Sequence, residues 1–279
     1  RDFKRVPIDE EAVKASDAAF YVVSRVAGEG KDRVLEKGDY YLSDIEKEEL
    51  NKLGMYTDNI VVLINAGGPV DLSDILSNKS VKAIMNISQP GMELGNAVAD
   101  AVIGKETPCG KLSATWALLY KDYPNASTFS HNNGDVENER YTEGIYVGYR
   151  YFDSFNVKPA FPFGFGLSYT DFEISNVNIS VSSGEITVES KVTNVGNQYS
   201  GREVVQVYAA CPQTGIKKEF KRLVGFKKTR GLKPGESEAL KVTIYSKALA
   251  SFDEEKSHWM LENGEYGIFV GNSSDNAEI

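Results

Sequence analysis

Residues 18–33 decide the fold; they read Ala18-Ala19-Phe20-Tyr21-Val22-Val23, then Ser24-Arg25-Val26-Ala27, then Gly28-Glu29-Gly30-Lys31-Asp32-Arg33. The first six are small, aromatic or β-branched and carry no charge, which predicts a buried strand of a parallel sheet. Ligands of open α/β sheets bind where the chain leaves the carboxyl end of such a strand. Here that exit is rich in charge and contains two glycines, which predicts a binding loop. A solvated, salt-bridged surface turn has the same pattern, so both interpretations stay open.

The pattern of strand, glycine-containing exit and helix repeats along the first part of the chain. Further apolar runs at 60–64 and 83–87 predict two more buried strands. Helices are predicted at 9–14, 43–54, 72–76 and 94–102, the second beginning with the capping box Ser43 and Glu46. Three such repeats predict a parallel sheet with flanking helices, an α/β sandwich domain.

From Phe172 onward the hydrophobic period falls to two, and glycine-containing turns separate the apolar stretches. About seven short alternating segments over this length are typical of an immunoglobulin-like or fibronectin type III-like sandwich. Cys211 is the only cysteine here, so the inter-sheet disulfide of antibody domains is excluded. Trp259 is expected in the core of this all-β sandwich.

Three segments follow from these patterns. Residues 1–125 are predicted to form the α/β sandwich domain, truncated at its N-terminal side, and residues 172–279 the fibronectin type III-like domain. Residues 126–171 form an aromatic-rich linker, which we expect to wrap over a neighbouring domain and bury its rings there. A carbohydrate-stacking platform is the alternative for this aromatic segment.

Composition narrows the class of function. The net charge of −9 argues against nucleic acid or an anionic membrane as partner, and no run approaches the ~20 apolar residues of a membrane span. The chain has only two cysteines, far apart, and two histidines, which argues against a disulfide framework, a metal site and a Ser-His-Asp triad. We therefore expect no cofactor and no metal. Basic residues clustered between 217 and 230, including Lys218 and Lys221, are interpreted as solubilising an edge strand.

The chain begins at Arg1, without a start methionine, so its cellular location stays unknown; we lean towards the cytoplasm, and secretion remains open. The composition also leaves a homo-oligomer open.

Nucleotide binding fits the loop at 28–33 poorly. Gly28-x-Gly30 is followed by Arg33 where a dinucleotide fingerprint has its third glycine, and Asp32 replaces the hydroxyl residue of a phosphate loop. Paired-carboxylate chemistry fits better, because glycoside hydrolysis needs one protonated and one ionised carboxyl group. Glu29 or Glu36 could be the acid, although a neighbouring Arg favours the ionised form and opposes that role.

Several ordered motifs resemble the C-terminal portion of glycoside hydrolase family 3, the β-glucosidase family. The resemblance covers nearly the whole chain, and its motifs lie at 24–33, 89–97, 110–112, 141–152, 161–170, 192–196 and 232–236. The first of these contains Gly28-Glu29-Gly30-Lys31-Asp32-Arg33, and the last two are similar to the family's fibronectin-like domain.

The resemblance implies a retaining glycosidase that acts on β-linked glucosides or short oligosaccharides. Its acid/base would be Glu29, with Glu36 as runner-up, and Asp32 and Arg33 would shape the loop and contact substrate. The nucleophile aspartate would lie on a barrel domain that this chain lacks, supplied by the same gene or by a partner chain, so the chain alone is expected to be inactive. The alternatives are a non-catalytic carbohydrate-binding or scaffolding module and a β-xylosidase of the same family.

Overall fold

A computed structural model describes residues 6–26 and 32–278 of the 279-residue chain. Its helices are α1 (Glu10–Lys14), α2 (Asp44–Gly54), α3 (Ser73–Ser77), α4 (Leu94–Val102) and α5 (Tyr149–Ser154), with short 3-10 turns at Tyr120–Asp122, Phe129–His131 and Ser246–Ala248. Its strands are β1 (Ala19–Ser24), β2 (Ile60–Asn65), β3 (Val81–Asn86), β4 (Trp116–Ala117), β5 (Pro159–Phe161), β6 (Phe172–Ser182), β7 (Glu185–Asn194), β8 (Val204–Ala210), β9 (Arg222–Lys228), β10 (Ser237–Tyr245), β11 (Ser251–Asp253), β12 (His258–Met260) and β13 (Gly267–Gly271).

The chain divides into two compact units. The first contains the residues up to 99 together with 118–120 and 126–140, and the second contains 100–117, 121–125 and the residues from 141 onward. Among the described residues, no helix combines the length and the apolar composition that a membrane crossing requires.

The first unit contains a three-stranded parallel sheet in the order β1-β2-β3. Ile60 of the central strand pairs with Ala19 on one side and Val81 on the other. The predicted capping box at the start of α2 is confirmed: the Glu46 amide donates to the Ser43 hydroxyl, and the Ser43 amide donates to the Glu46 carboxylate. The parallel sheet with flanking helices is therefore the predicted α/β architecture.

Only the central strand is as buried as its sequence predicts. Ile60, Val62 and Ile64 of β2 are inaccessible to solvent, whereas Phe20 and Val22 of β1 are 47% and 49% exposed. The expectation of a wholly buried first strand was wrong, because β1 is an edge strand and is covered on one face. On that face the Tyr21 hydroxyl donates to Glu49 of α2, and Val23 is buried.

The second unit contains a sandwich of two antiparallel three-stranded sheets, β10-β7-β6 and β13-β8-β9. Alternating apolar residues from both sheets meet in one core, which explains the period of two in the sequence. Its buried members include Val188, Val192, Val205, Val207, Leu232, Leu240, Ile244 and Ile268. The predicted fibronectin type III-like fold is confirmed.

Aromatic rings from the segment before β6 pack against this sandwich. The Tyr149 ring of α5 lies 4.8 Å from the Phe163 ring and 5.8 Å from the Tyr208 ring of β8, measured between centroids. The Tyr149 hydroxyl also accepts a hydrogen bond from the Leu223 amide of β9. These contacts pack the Tyr149 ring against Phe163 and β8, and the wrapping role of the whole segment 126–171 stays a prediction.

Two sequence interpretations within the second unit were wrong. Trp259 is 68% exposed on the β11–β12 ribbon, where it stacks edge-on against its cross-strand neighbour Phe252 instead of entering the core. Lys218 and Lys221 are buried, not solubilising: Lys218 pairs with Glu262, and Lys221 donates to the Ser274 carbonyl. Their partners are distant in sequence, so local charge patterning could not reveal these contacts.

Candidate active site

The carboxyl ends of β1, β2 and β3 lie at one edge of the parallel sheet, and Arg25 leaves β1 at this edge. Its side chain is buried and donates to both carboxylate oxygens of Glu46, at 2.7 and 3.0 Å. Its Nε also donates to the Asp39 carbonyl at 2.5 Å, and its backbone amide donates to the Asn65 carbonyl at 2.9 Å. These bonds hold the chain in place where it leaves β1.

Arg33 makes a second set of bonds at the same edge. Its Nε donates to Asp39 Oδ1 at 2.6 Å and its Nη2 donates to the Asp39 carbonyl at 2.7 Å. Its Nη1 donates to the Pro69 carbonyl at 2.7 Å, in the turn that follows β2. The other carboxylate oxygen of Asp39 accepts from the Val34 amide at 2.8 Å. Asp39 thus accepts bonds from both arginines and lies between the two flanks of residues 27–31.

The exit of β3 joins this arrangement through Gln89, whose side-chain amide donates to the Arg25 carbonyl at 2.9 Å. All three strand exits of the sheet are therefore connected by hydrogen bonds, with Arg25, Asp39 and Arg33 at the centre. In open α/β sheets, this edge is where ligands bind.

The electrostatics keep both central carboxylates ionised. Partial burial acts to raise the pKa of Asp39, but hydrogen bonds from the Val34 amide and the Arg33 guanidinium outweigh it and hold that pKa below its usual range. Burial likewise acts to raise the pKa of Glu46, and donation by Arg25 and the Ser43 amide more than offsets it. These groups are suited to holding structure and not to donating protons.

The sequence-predicted site residues have different positions. Glu29 lies outside the described residues, and Asp32 is exposed directly after them. Arg33 is half-buried and bonded as described above. Glu36 is exposed in a turn in which its carbonyl accepts from the Asp39 and Tyr41 amides. The structure therefore brings Arg33 together with Asp39, a residue that the sequence did not single out for the site.

Arg25 and Asp39 were missed because their roles depend on contacts at a distance. A signal for Arg25 did exist, since a single charged residue directly after an apolar strand needs a partner when it is buried. Nothing local in the sequence indicated that Asp39 would be that partner through its carbonyl. Among residues 6–26 and 32–278, no group of three or more His, Cys, Asp or Glu side chains could hold a metal ion.

The α/β fold and the β-sandwich that follows it each correspond to a known domain family. The family model for the glycosyl hydrolase family 3 C-terminal domain matches residues 6–149, which is more than half of the chain, and a fibronectin type III-like domain model matches residues 203–274. The chain belongs to glycosyl hydrolase family 3.

Similar proteins are β-glucosidases of bacteria and fungi. A β-glucosidase of Ruminococcus albus is 36% identical over 285 residues, covering 99% of this chain and 29% of the relative. The structure of β-glucosidase 3B from Thermotoga neapolitana in complex with glucose matches with a TM-score of 0.89 and 39% identity, covering 97% of this chain and 38% of that one. A β-glucosidase from Paenibacillus barengoltzii matches with a TM-score of 0.90 and 37% identity, covering 99% and 31%. The chain thus spans about a third of the length of the relatives it matches.

Proposed function

We propose that this chain supplies the acid/base half of the active site of a retaining β-glucosidase. Glu29 protonates the leaving glycosidic oxygen and then deprotonates the water that releases the glycosyl–enzyme intermediate. The nucleophile is an aspartate on a barrel domain, carried by the same gene or by a partner chain. The substrate is a β-linked glucoside or short oligosaccharide, from which the terminal glucose is removed.

One observation carries this proposal. The stretch that contains Glu29 has both of its flanks tied to the carboxyl edge of the parallel sheet, through Arg25 on one side and Arg33 on the other. Ligands of open α/β sheets bind at this edge, which supports a catalytic role for a carboxyl group carried between these two flanks. The β-glucosidase relatives support a glycosidic substrate.

The geometry separates the roles of the two neighbouring residues. The Arg33 guanidinium donates to Asp39 and to the Pro69 carbonyl, which supports a role in shaping the loop. Asp32 is exposed and is the better candidate for a contact with a sugar hydroxyl.

The first test measures hydrolysis of a nitrophenyl β-glucoside by the purified chain. We expect none, because a retaining mechanism needs a second carboxylate about 5–5.5 Å from the first, and that nucleophile is assigned to the barrel domain. Turnover of the glucoside by the isolated chain would contradict the division of the active site between two domains.

A nitrophenyl β-xyloside assayed in parallel on the intact enzyme tests the β-xylosidase alternative. A gene without a barrel, together with sugar binding by the chain, would favour a non-catalytic module.

The second test compares Glu29→Gln with Glu36→Gln in the intact enzyme. Loss of the general acid should lower kcat/KM by roughly 10²–10⁴-fold on substrates with poor leaving groups, and far less on activated ones. Azide should restore turnover of an activated glucoside by Glu29→Gly, because it attacks the glycosyl intermediate without needing a base. If the Glu36 variants show this behaviour and the Glu29 variants do not, the acid/base role moves to Glu36.

A further inference from the structure

The two flanks of residues 27–31 are joined to each other through a single residue. Arg25 precedes this stretch and donates from Nε to the Asp39 carbonyl at 2.5 Å; Arg33 follows it and donates from Nη2 to the same oxygen at 2.7 Å. A carbonyl oxygen has two lone pairs, and here both are used by charged donors. The position of one flank is therefore coupled directly to the position of the other.

The side chain of Asp39 reinforces this link. Its carboxylate accepts from Arg33 Nε at 2.6 Å and from the Val34 amide at 2.8 Å. Together with the bond from Nη2 to the carbonyl, Arg33 therefore makes two bonds to Asp39. Charge-assisted bonds of this kind are shorter and roughly twice as strong as neutral ones, and a planar guanidinium fixes direction as well as distance. The Arg33 side chain is 18% exposed and the Asp39 side chain 23%, which limits competition from water.

Further contacts prevent Arg25 and Arg33 from moving together with Asp39 as one unit. The Arg25 guanidinium is held by the Glu46 carboxylate of α2, and Arg33 Nη1 donates to the Pro69 carbonyl after β2. Helix α2 and the exits of two strands thus hold the same pair of arginines. The two residues that flank 27–31 are therefore anchored to the sheet and its helix.

Positioning of this kind matters because Glu29 lies between Gly28 and Gly30. Glycine restricts the backbone least of all residues, so a catalytic group between two glycines depends on the residues that flank them. A misplacement of about 1 Å can cost on the order of 10²-fold in rate.

We propose that Asp39 is a positioning residue for the acid/base glutamate, acting through Arg25 and Arg33 on the two flanks of its loop. This inference rests on the proposed function of Glu29. Asp39 does not touch the substrate; its carbonyl and carboxylate fix Arg25 and Arg33 relative to each other.

The test uses Asp39→Asn and Arg33→Lys in the intact enzyme, with Asp44→Asn as matched control. Asp44 is an acid of the same unit whose ion pair with Lys37 is exposed. Asparagine keeps the carbonyl link but weakens the bond to Arg33, and lysine keeps the charge but cannot serve three acceptors from a planar fork. The measurement is kcat/KM for a series of aryl β-glucosides whose leaving phenols differ in pKa.

A misplaced acid should make the dependence of kcat/KM on leaving-group pKa steeper. We expect a loss of about 10–100-fold on the poorest leaving groups for both variants, little change on the most activated one, and no change for Asp44→Asn. A merely structural role would lower the amount of active enzyme and so reduce the apparent kcat/KM by the same factor for every substrate. An equal reduction, or none, in folded variants would overturn the proposal.

A second measurement uses the chain itself. Amide hydrogen exchange across 26–34 should be faster in Asp39→Asn than in the parent or in Asp44→Asn, while exchange in β2 stays the same. Unchanged exchange at 26–34 would overturn the positioning role. If the Glu29 variants lack leaving-group dependence, the proposed function fails by itself; if they show it and the Asp39 and Arg33 variants do not, only this inference fails.

Discussion

A single residue, Glu46, stabilises the fold in two ways. Its carboxylate accepts from the Ser43 amide at the start of α2, and it binds the buried Arg25 guanidinium through both oxygens. Removing one partner of a buried ion pair leaves the other charge without compensation. We expect Glu46→Gln to lower the free energy of unfolding by about 3 kcal/mol, measured by urea denaturation. Asp44→Asn, which breaks an exposed pair, should cost far less because solvent screens exposed charges, and equal costs would contradict this assignment.

Lowering the pH should remove the contribution of Glu46 to the free energy of unfolding. Its pKa in the folded protein lies below the ordinary value of 4.5, because donation by Arg25 and the Ser43 amide outweighs the opposing effect of burial. A carboxylate with a lowered pKa stabilises the fold above its unfolded pKa, and that stabilisation is lost as the pH falls through the folded pKa. The difference in unfolding free energy between the parent and Glu46→Gln should be full at pH 7 and should shrink below about pH 4.5. A difference that stays constant with pH would show that packing, not charge, causes the effect.

Residue-level prediction from the sequence succeeded where the determinants were local. The capping box needs Ser43 and Glu46 only three positions apart, and both of its bonds are present. The link between Arg25 and Asp39 spans fourteen positions and ends on a backbone carbonyl, which no side-chain pattern encodes. The part of the site that depends on tertiary contacts was therefore beyond sequence reasoning.

At the scale of elements, strand positions were predictable and their degree of burial was not. The run at 60–64 became a central strand with both faces covered, as its composition indicates. The run at 18–23, which is likewise free of charge, became an edge strand with Phe20 and Val22 exposed. Strand order is a property of the whole sheet, so an apolar run alone cannot distinguish the two cases.

The β11–β12 ribbon gives a spectroscopic prediction. Ser251 and Asp253 of β11 are buried, while Phe252 between them pairs with Trp259 on the exposed face. The chain has two tryptophans, and Trp116 is 5% exposed. Trp259→Phe should shift the fluorescence maximum to shorter wavelength, reduce quenching by acrylamide and change the unfolding free energy by no more than about 0.5 kcal/mol.

Trp116→Phe is the matched control for this ribbon. It should leave a red-shifted, readily quenched emission from Trp259 and should cost more stability, because a buried ring is replaced by a smaller one. A blue-shifted emission in this control would mean that Trp259 is buried in solution.

At the scale of the whole molecule, the second unit joins α5 to the fibronectin-like sandwich through a buried charged cluster. Asp153 of α5 lies 3.5 Å from the Lys221 ammonium, which the rings of Tyr208, Phe220 and Phe269 surround at 5.5–5.6 Å. Burial raises the pKa of Asp153 more than Lys221 lowers it, and the nearby Asp275 raises it further. The ionised form of Asp153 is therefore held in the fold at a cost in free energy.

This cost predicts a pH dependence opposite to that of Glu46. An acid with a raised pKa binds its proton more tightly in the folded state. The free energy of unfolding therefore falls as the pH rises from the pKa of the unfolded state towards the pKa of the folded state. Asp153→Asn cannot ionise and escapes this loss. Its unfolding free energy relative to the parent should therefore move in favour of the variant as the pH rises from about 3.5 to 7.

Glu262→Gln in the same unit separates this effect from a general response to acid. Donation by Lys218 lowers the pKa of Glu262, with burial acting in the opposite direction. The relative stability of Glu262→Gln should therefore worsen over the same rise in pH, since the parent gains a favourable charge that the variant lacks. Urea denaturation of the three proteins at several pH values measures both trends. Trends of the same sign would mean that the Lys221 ammonium compensates for the burial of Asp153, and that α5 is held to the sandwich by a net favourable ion pair.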